Sequence, residues 1–171
     1  MKDLFLTLFL LPFFAISQDC KIKKEVDDFT HEAKITTGFV PFSKGLDQLL
    51  LSIDADSKEI QFFFAFKNAG ESKCFDNAST AVILFEGSKL KSNFKNSGSM
   101  NCEGLFHITF RNSITTPTVL QNLATKKVST IQLTGNGKKL TNILLSEEEK
   151  LMLMNMALCT NKESKALIKK P

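Results

Sequence analysis

Residues 128–159 read VSTIQLTGNGKKLTNILLSEEEKLMLMNMALC, and the fold class turns on this stretch. Val128–Thr134 and Lys139–Leu145 are rich in β-branched and aliphatic residues and are joined through GNGKK, whose glycines suit the tight turn of a hairpin. Ser146 with Glu149 three residues later forms a capping box. The run Glu147-Glu148-Glu149 places negative charge at the positive end of the helix dipole. A helix is therefore expected through Cys159. Leu151, Met152, Asn155, Leu158 and Cys159 make one stripe, widened by Leu153, Met154 and Met156. A helix this apolar has to be mostly buried, and the strands before it supply the surface.

Upstream the chain reads as strand after strand. Ala33–Phe42 has β-branched and aromatic content, with Pro41 marking a bend or an edge near its end. Leu46–Asp54 is short and precedes a turn at Ala55–Lys58, which favours strand over helix. Ile60–Lys67 and Ala81–Glu86 carry apolar residues on both faces and are expected to be central strands covered on both sides. Leu90–Phe94 is a weaker strand. Leu105–Arg111 alternates, with Phe106, Ile108 and Phe110 towards the core and His107, Thr109 and Arg111 away from it. Thr116-Pro117 predicts a short helix to Leu123, with Thr116 as N-cap and Pro117 at the first helical position. The sum is an α+β domain of mostly antiparallel β-structure. It has about seven or eight strands, in a sheet or sandwich, with a C-terminal helix packed on the sheet.

Length and composition fit one domain, with 43% hydrophobic and 23% charged residues. Sixteen Phe stand beside no Trp and no Tyr, which suits a core better than a sugar platform or a polar interface. The formal charge is +4 with 22 basic residues, of which Arg111 is the sole Arg. Lys interleaved with acids and almost no Arg argue against nucleic-acid recognition, which favours the bidentate guanidinium. The expected role involves no cofactor.

Residues 1–17 have the plan of a secretory signal peptide. Lys2 supplies a positive start, Leu4–Phe14 an apolar run, and Ala15-Ile16-Ser17 small residues for cleavage. The run is too short to span a bilayer, so no transmembrane segment is expected in the mature protein. A lipoprotein is not expected, because Gln18-Asp19 before Cys20 do not make a lipobox. The organisation is then a signal peptide at 1–17, one β-rich domain at 18–161 and a frayed tail at 162–171. The mature protein is assigned to the periplasm or the exterior.

Export changes the meaning of the four cysteines. An even number in an oxidising compartment implies two disulfides, and none of the four has C-x-x-C spacing. Of three connectivities, Cys74–Cys102 with Cys20–Cys159 is favoured. It joins two neighbouring central segments and ties the mature N-terminus to the last helix.

The opening CKIKKEVDDFT at Cys20–Thr30, behind an export segment, resembles the start of small secreted proteins of Bacteroidota that carry no assigned activity. The ending, with Ile131, Leu133 and LSEEEKLMLMNMALC, resembles theirs too. The resemblance implies export and a similar domain plan, and it transfers no site.

Candidate chemistry is sparse. Asp27, Asp28, His31 and Glu32 fall within six residues and are the candidate metal ligands, although one His is fewer than zinc sites draw. His107 and Arg111, on one face of a strand, are the candidate binding residues. His31 and His107 are the only residues able to act as an imidazole base, and no G-x-S-x-G elbow accompanies them. The leading expectation is a disulfide-stabilised, non-catalytic module with a binding or structural role in the envelope, acting on a protein partner or an envelope component. The alternative is a metal-dependent or other hydrolase using Asp27–Glu32 or His107.

Overall fold

Alternation decides which face of each strand is buried, and two sheets result. The computed structural model describes residues 20–28, 30–43, 48–69 and 73–168. The expected export segment at 1–17 and the last three residues of the chain lie outside this set. Ten strands are described: β1 (Lys23–Val26), β2 (Ala33–Thr36), β3 (Val40–Phe42), β4 (Leu49–Ala55), β5 (Glu59–Phe66), β6 (Thr80–Phe85), β7 (Lys91–Lys95), β8 (Leu105–Arg111), β9 (Val128–Thr134) and β10 (Leu140–Leu144). One sheet has the order β1-β2-β4-β5-β8, with β3 also on β4. The other has the order β10-β9-β6-β7, and all pairs in both are antiparallel. The expected Ala33–Phe42 strand is thus two pieces, with Gly38 at φ 66° between them. Both pieces pair with β4, so a left-handed residue lets the chain step along one partner.

The two inner faces share one core. Leu49, Leu51 and Ile53 of β4 meet Ile60, Phe62 and Phe64 of β5 on one side, and Ala81, Ile83, Ile131 and Leu133 come from the other sheet. Phenylalanine rings join the layers. Phe94 of β7 lies edge-on to Phe110 of β8 at 5.6 Å between centroids, and Phe110 in turn to Phe62 at 5.5 Å. The register shifts between Leu84 and Phe85, so that Phe85 pairs with Val128 and Ser129 is skipped. This bulge brings Val128 into the core beside Ile131 and Leu133 despite their different parity.

β5 and β6 are not covered on both faces, contrary to the expectation from their composition. Ile60, Phe62, Phe64 and Phe66 are buried, whereas Gln61, Phe63 and Ala65 are half-buried. β6 divides in the same way, with Val82 and Leu84 half-buried. An apolar residue on the outer face gains its cover sideways from cross-strand neighbours, which a composition count cannot distinguish from a second layer.

Helix α1 (Thr118–Thr125) buries Leu120, Leu123 and Ala124 and packs on helix α2 (Glu147–Ser164). It begins later than the sequence predicts, by one residue. Pro117 is the N-cap residue, and the Thr116 hydroxyl lies 3.2 Å from Asn161 Oδ1 of α2 instead of capping its own helix. A tertiary partner outcompeted the local one.

The start of α2 follows the sequence closely. Ser146 accepts from Glu149 N, and the Glu149 carboxylate accepts from Ser146 N. Its other oxygen accepts from Ser43 N at 2.6 Å, which ties the end of β3 to the helix. The buried stripe keeps Leu153 and Cys159 of the expected set and otherwise differs from it. Leu153, Ala157, Thr160 and Ser164, at intervals of four, three and four, face inward, while Leu151 and Leu158 are 43% and 41% exposed. Small residues at 157, 160 and 164 let the helix approach α1 and the sheets closely, which Leu151 and Leu158 would prevent. α2 touches β2 and β4 of one sheet and β9 of the other, so it seals the open side between them.

The helix also continues past Asn161, where the sequence places the start of a frayed tail. Buried Asn112 donates to Ser164 O at 2.9 Å and to Asp56 O at 2.7 Å. The Lys165 ammonium donates to Ser113 O, and a single 3-10 turn follows at Lys165–Leu167.

Cys20 is bonded to Cys159, and Cys74 to Cys102. This is the pairing favoured from the order of the segments. The first bond latches the start of the described chain to α2, and the second joins the loops after β5 and before β8. Gly135, at the β9–β10 turn, packs against the Cys74 loop. A Cβ there would sit 2.6 Å from Cys74 O, and Asn136 N donates to the same carbonyl.

Two measurements test this packing. Leu153→Ala is expected to destabilise by about 2–5 kcal/mol in urea unfolding, and Leu158→Ala by less than about 1 kcal/mol. The reverse order would show that the helix is rotated. The disulfides close separations of 139 and 28 residues, worth about 5 and about 3.5 kcal/mol on the loop-entropy account. Cys20→Ser with Cys159→Ser is therefore expected to lower Tm further than Cys74→Ser with Cys102→Ser.

Candidate functional site

The outer face of the six-stranded sheet gathers the candidate binding residues, and the register orders them in rows. Ser52, Phe63 and His107 form one row across β4, β5 and β8, and Asp54, Gln61 and Thr109 form the next. Beyond these, Glu59 stands opposite Arg111 on one side, and Leu50, Ala65 and Leu105 stand in line on the other. The surface therefore grades from charged to apolar over four rows. Strand alternation alone produces this, since every residue named has the same parity within its strand.

Phe63 and His107 are the centre of the face. Their rings stack at 4.3 Å between centroids with an interplanar angle of 9°. Thr109 Oγ1 lies 3.3 Å from His107 Nε2. The backbone of His107 is held on its far side, where Asn96 Oδ1 accepts from His107 N at 2.9 Å and Ser97 N donates to His107 O at 2.7 Å. Asn96 is itself buried and donates to Asp76 O and Gly98 O. Burial pushes the imidazole below its ordinary range, and the negative charges of Glu59 and Asp54 oppose that shift from a distance.

On β4, in the next row, Asp54 Oδ1 accepts from Ser52 Oγ and from Thr36 Oγ1, both at 2.6 Å. The Thr36 hydroxyl also accepts from Gly38 N at 2.9 Å. Ser52 is fully buried in this cluster. A Ser, an Asp and a His are thus on one face without forming a triad. Ser52 and His107 are two ladder steps apart, about 9–10 Å, and the Phe63 side chain stands between them. The Ser52 proton points to a carboxylate and not to an imidazole, whereas a triad needs the imidazole in between.

Asp27, Asp28, His31 and Glu32 lie at the β1–β2 hairpin, and the structure does not bring them together as a ligand set. Asp27 Oδ1 accepts from Thr30 N at 2.8 Å and from the Thr30 hydroxyl, and its other oxygen faces the Lys34 ammonium at 3.9 Å. Glu32 accepts from Ser57 Oγ at 3.4 Å. His31 adopts φ 53°, with its N donating to Asp27 O, as a turn residue. A hollow of about 360 Å³ between this hairpin and the β4–β5 turn mixes Asp27, Glu32, Asp54 and Asp56 with Lys34 and Lys58. Among the described residues, no group of three or more His, Cys, Asp or Glu is placed to hold a metal ion. The spacing that suggested ligands is the spacing of an Asp-capped hairpin turn.

Phe63, Ser52 and Asp54 do not stand out as site residues in the sequence. The alternation of LLLSIDA does place Ser52 and Asp54 on one face, but which cross-strand neighbours they meet depends on the register. Among the described residues, no helix is long and apolar enough to cross a membrane. Comparisons with protein-family models, curated proteins and solved structures find no match for this chain.

The His107 shift has a sign that can be measured. A base whose folded-state value lies below its unfolded value takes up its proton more readily when unfolded. Stability is then expected to be full above the ordinary value of 6.5 and to fall with pH from there towards the lower folded-state value. His107→Phe keeps an aromatic partner for Phe63 and removes the proton. In thermal unfolding from about pH 7 to about pH 5, its stability is expected to decline less than that of the parent protein, and an identical decline would remove His107 as the cause.

Proposed function

We propose that this chain is an exported, disulfide-locked module with a non-catalytic binding or structural role in the cell envelope, and that the outer face of the six-stranded sheet is its contact surface. The observation that carries this reading is the pairing of all four cysteines. Among the described residues no cysteine is free, and the two bonds close the ends of the domain and its central loops. Bonds of this kind persist in oxidising compartments and are rare in the cytosol. Together they are comparable with the whole net stability of an ordinary domain, about 5–15 kcal/mol. The export segment expected at 1–17 agrees with it, as does the resemblance at the two ends of the mature chain.

The graded face supports a contact role. Leu105 is 42% exposed beside the Phe63–His107 stack, with Glu59 and Arg111 at the opposite rim. Aromatic and apolar area flanked by opposite charges fits a protein partner or a polar envelope component. The cluster at Asp54 and the backbone clamp on His107 hold the platform rigid, which lowers the ordering cost of binding.

Fractionation of producing cells, followed by mass analysis of the purified chain, tests the compartment. The expected product is found outside the cytoplasm, lacks residues 1–17, and reacts with a thiol reagent only after reduction. A cytoplasmic product with four reactive thiols would overturn the reading. For the face, Leu105→Lys combined with Phe63→Ser is expected to reduce retention on washed envelope at least about tenfold, the equivalent of ~1.4 kcal/mol. Unchanged retention would move the contact surface elsewhere.

A further inference from the structure

We propose that β10 is a self-association edge. Two copies of this chain pair their β10 strands antiparallel about a twofold axis at Asn142, which merges two four-stranded sheets into one of eight strands.

The argument begins with the ladder. In the β9–β10 pair, Gly135 N donates to Lys139 O and Leu145 N donates to Ser129 O. Alternation along the strand then turns the N–H and C=O of Lys139, Thr141, Ile143 and Leu145 towards β9. The backbone groups of Leu140, Asn142 and Leu144 turn towards the other edge, which is open among the described residues, since β10 ends its sheet there. The side chains of the same three residues are the exposed ones, and Leu140 and Leu144 are 57% and 74% exposed.

These residues complement themselves. With Asn142 on the axis, Asn142 faces Asn142 of the second copy and Leu140 faces its Leu144, on both sides of the axis. Each of these is a hydrogen-bonded pair that exchanges two bonds, so every open N–H and C=O of Leu140, Asn142 and Leu144 is satisfied. Two Leu–Leu pairs then cover the most exposed apolar surface of the strand. A shift of one residue would set the open backbone groups against closed ones.

Charge at the two ends fits the same register. Lys138 and Lys139 precede β10, and Ser146 to Glu149 follow it. Antiparallel pairing brings the exposed basic turn of one copy beside the exposed Glu147 and Glu148 of the other. A hollow of about 650 Å³ lined by Pro41, Leu144, Ser146, Glu148 and Met152 lies beside this end of β10.

The other sheet edges are guarded. β7 presents Lys91 and Lys95, β1 presents Lys23, Lys24 and Glu25, β3, which pairs with β4 alone, carries Pro41, and β8 is covered at His107 by Asn96 and Ser97. Charges and local cover are the usual protections against edge pairing. β10, reading LTNIL, carries neither a charge nor a proline.

Light scattering on the size-fractionated, oxidised protein tests the pairing, and it is expected to give twice the mass of a single chain. Asn142→Pro removes an N–H that points away from β9 and is expected to give monomer. Leu144→Lys is expected to weaken association at least about tenfold, the equivalent of ~1.4 kcal/mol. Adding Leu140→Glu sets opposite charges within each cross-strand pair and is expected to restore the dimer in a salt-sensitive form. If Asn142→Pro proves unfolded by circular dichroism, this charge pair decides. A parent protein that stays monomeric to about 1 mM, an Asn142→Pro variant that stays folded and dimeric, or a double variant no tighter than Leu144→Lys would each overturn the proposal.

Discussion

The bridge made by α2 between the two sheets is the contact on which the rest depends. Each sheet has one apolar face, and neither face is stable in water. Stacked face to face, they bury phenylalanine and aliphatic side chains but leave an open side. Leu153 and Ala157 close it, on a helix that touches β2 and β4 of one sheet and β9 of the other. Three independent ties keep the helix seated. The capping glutamate reaches Ser43. Lys150 joins Glu147 to Glu86, and Lys127 meets Glu147 from the far side, which holds the Glu147 carboxyl at about 2. Cys159 is bonded to Cys20.

Once the sheets are fixed on one side by α2, their outer faces are free to differ. The six-stranded sheet carries the graded surface with Phe63 and His107 at its centre. The four-stranded sheet ends in an uncharged edge strand. The two features lie on different sheets and make different demands. The first needs rigid side chains on a plane, supplied by the Asp54 cluster and the Asn96 clamp. The second needs only open backbone and two leucines.

Much of the fold and part of the candidate site are legible in the chain itself. The capping box locates the start of α2, because Ser146 and Glu149 interact with each other's local backbone. LFHITFR announces its faces by strict alternation, which puts His107 and Arg111 on the outer side, where they stand. The limits are as specific. LMLMNMALC is apolar nearly all round, so no polar side exists to set its rotation, and small residues meeting α1 select the inward face. FFFAF offers apolar residues at both parities, so it gives no sign that one face lacks a covering layer. Asp27, Asp28, His31 and Glu32 have ligand chemistry in a row, yet their spacing serves a hairpin turn.

By itself, then, the sequence determined the quantities that depend on near neighbours: strand faces, the helix start, the turn at residues 135–138, and the number of cysteines available for pairing. Tertiary structure alone decided the register that stacks Phe63 on His107, the separation of Ser52 from that imidazole, the inward face of α2 and the open edge of β10. These depend on which distant segment arrives as the neighbour. That choice is made by burying the whole apolar surface at once, and no local pattern encodes it.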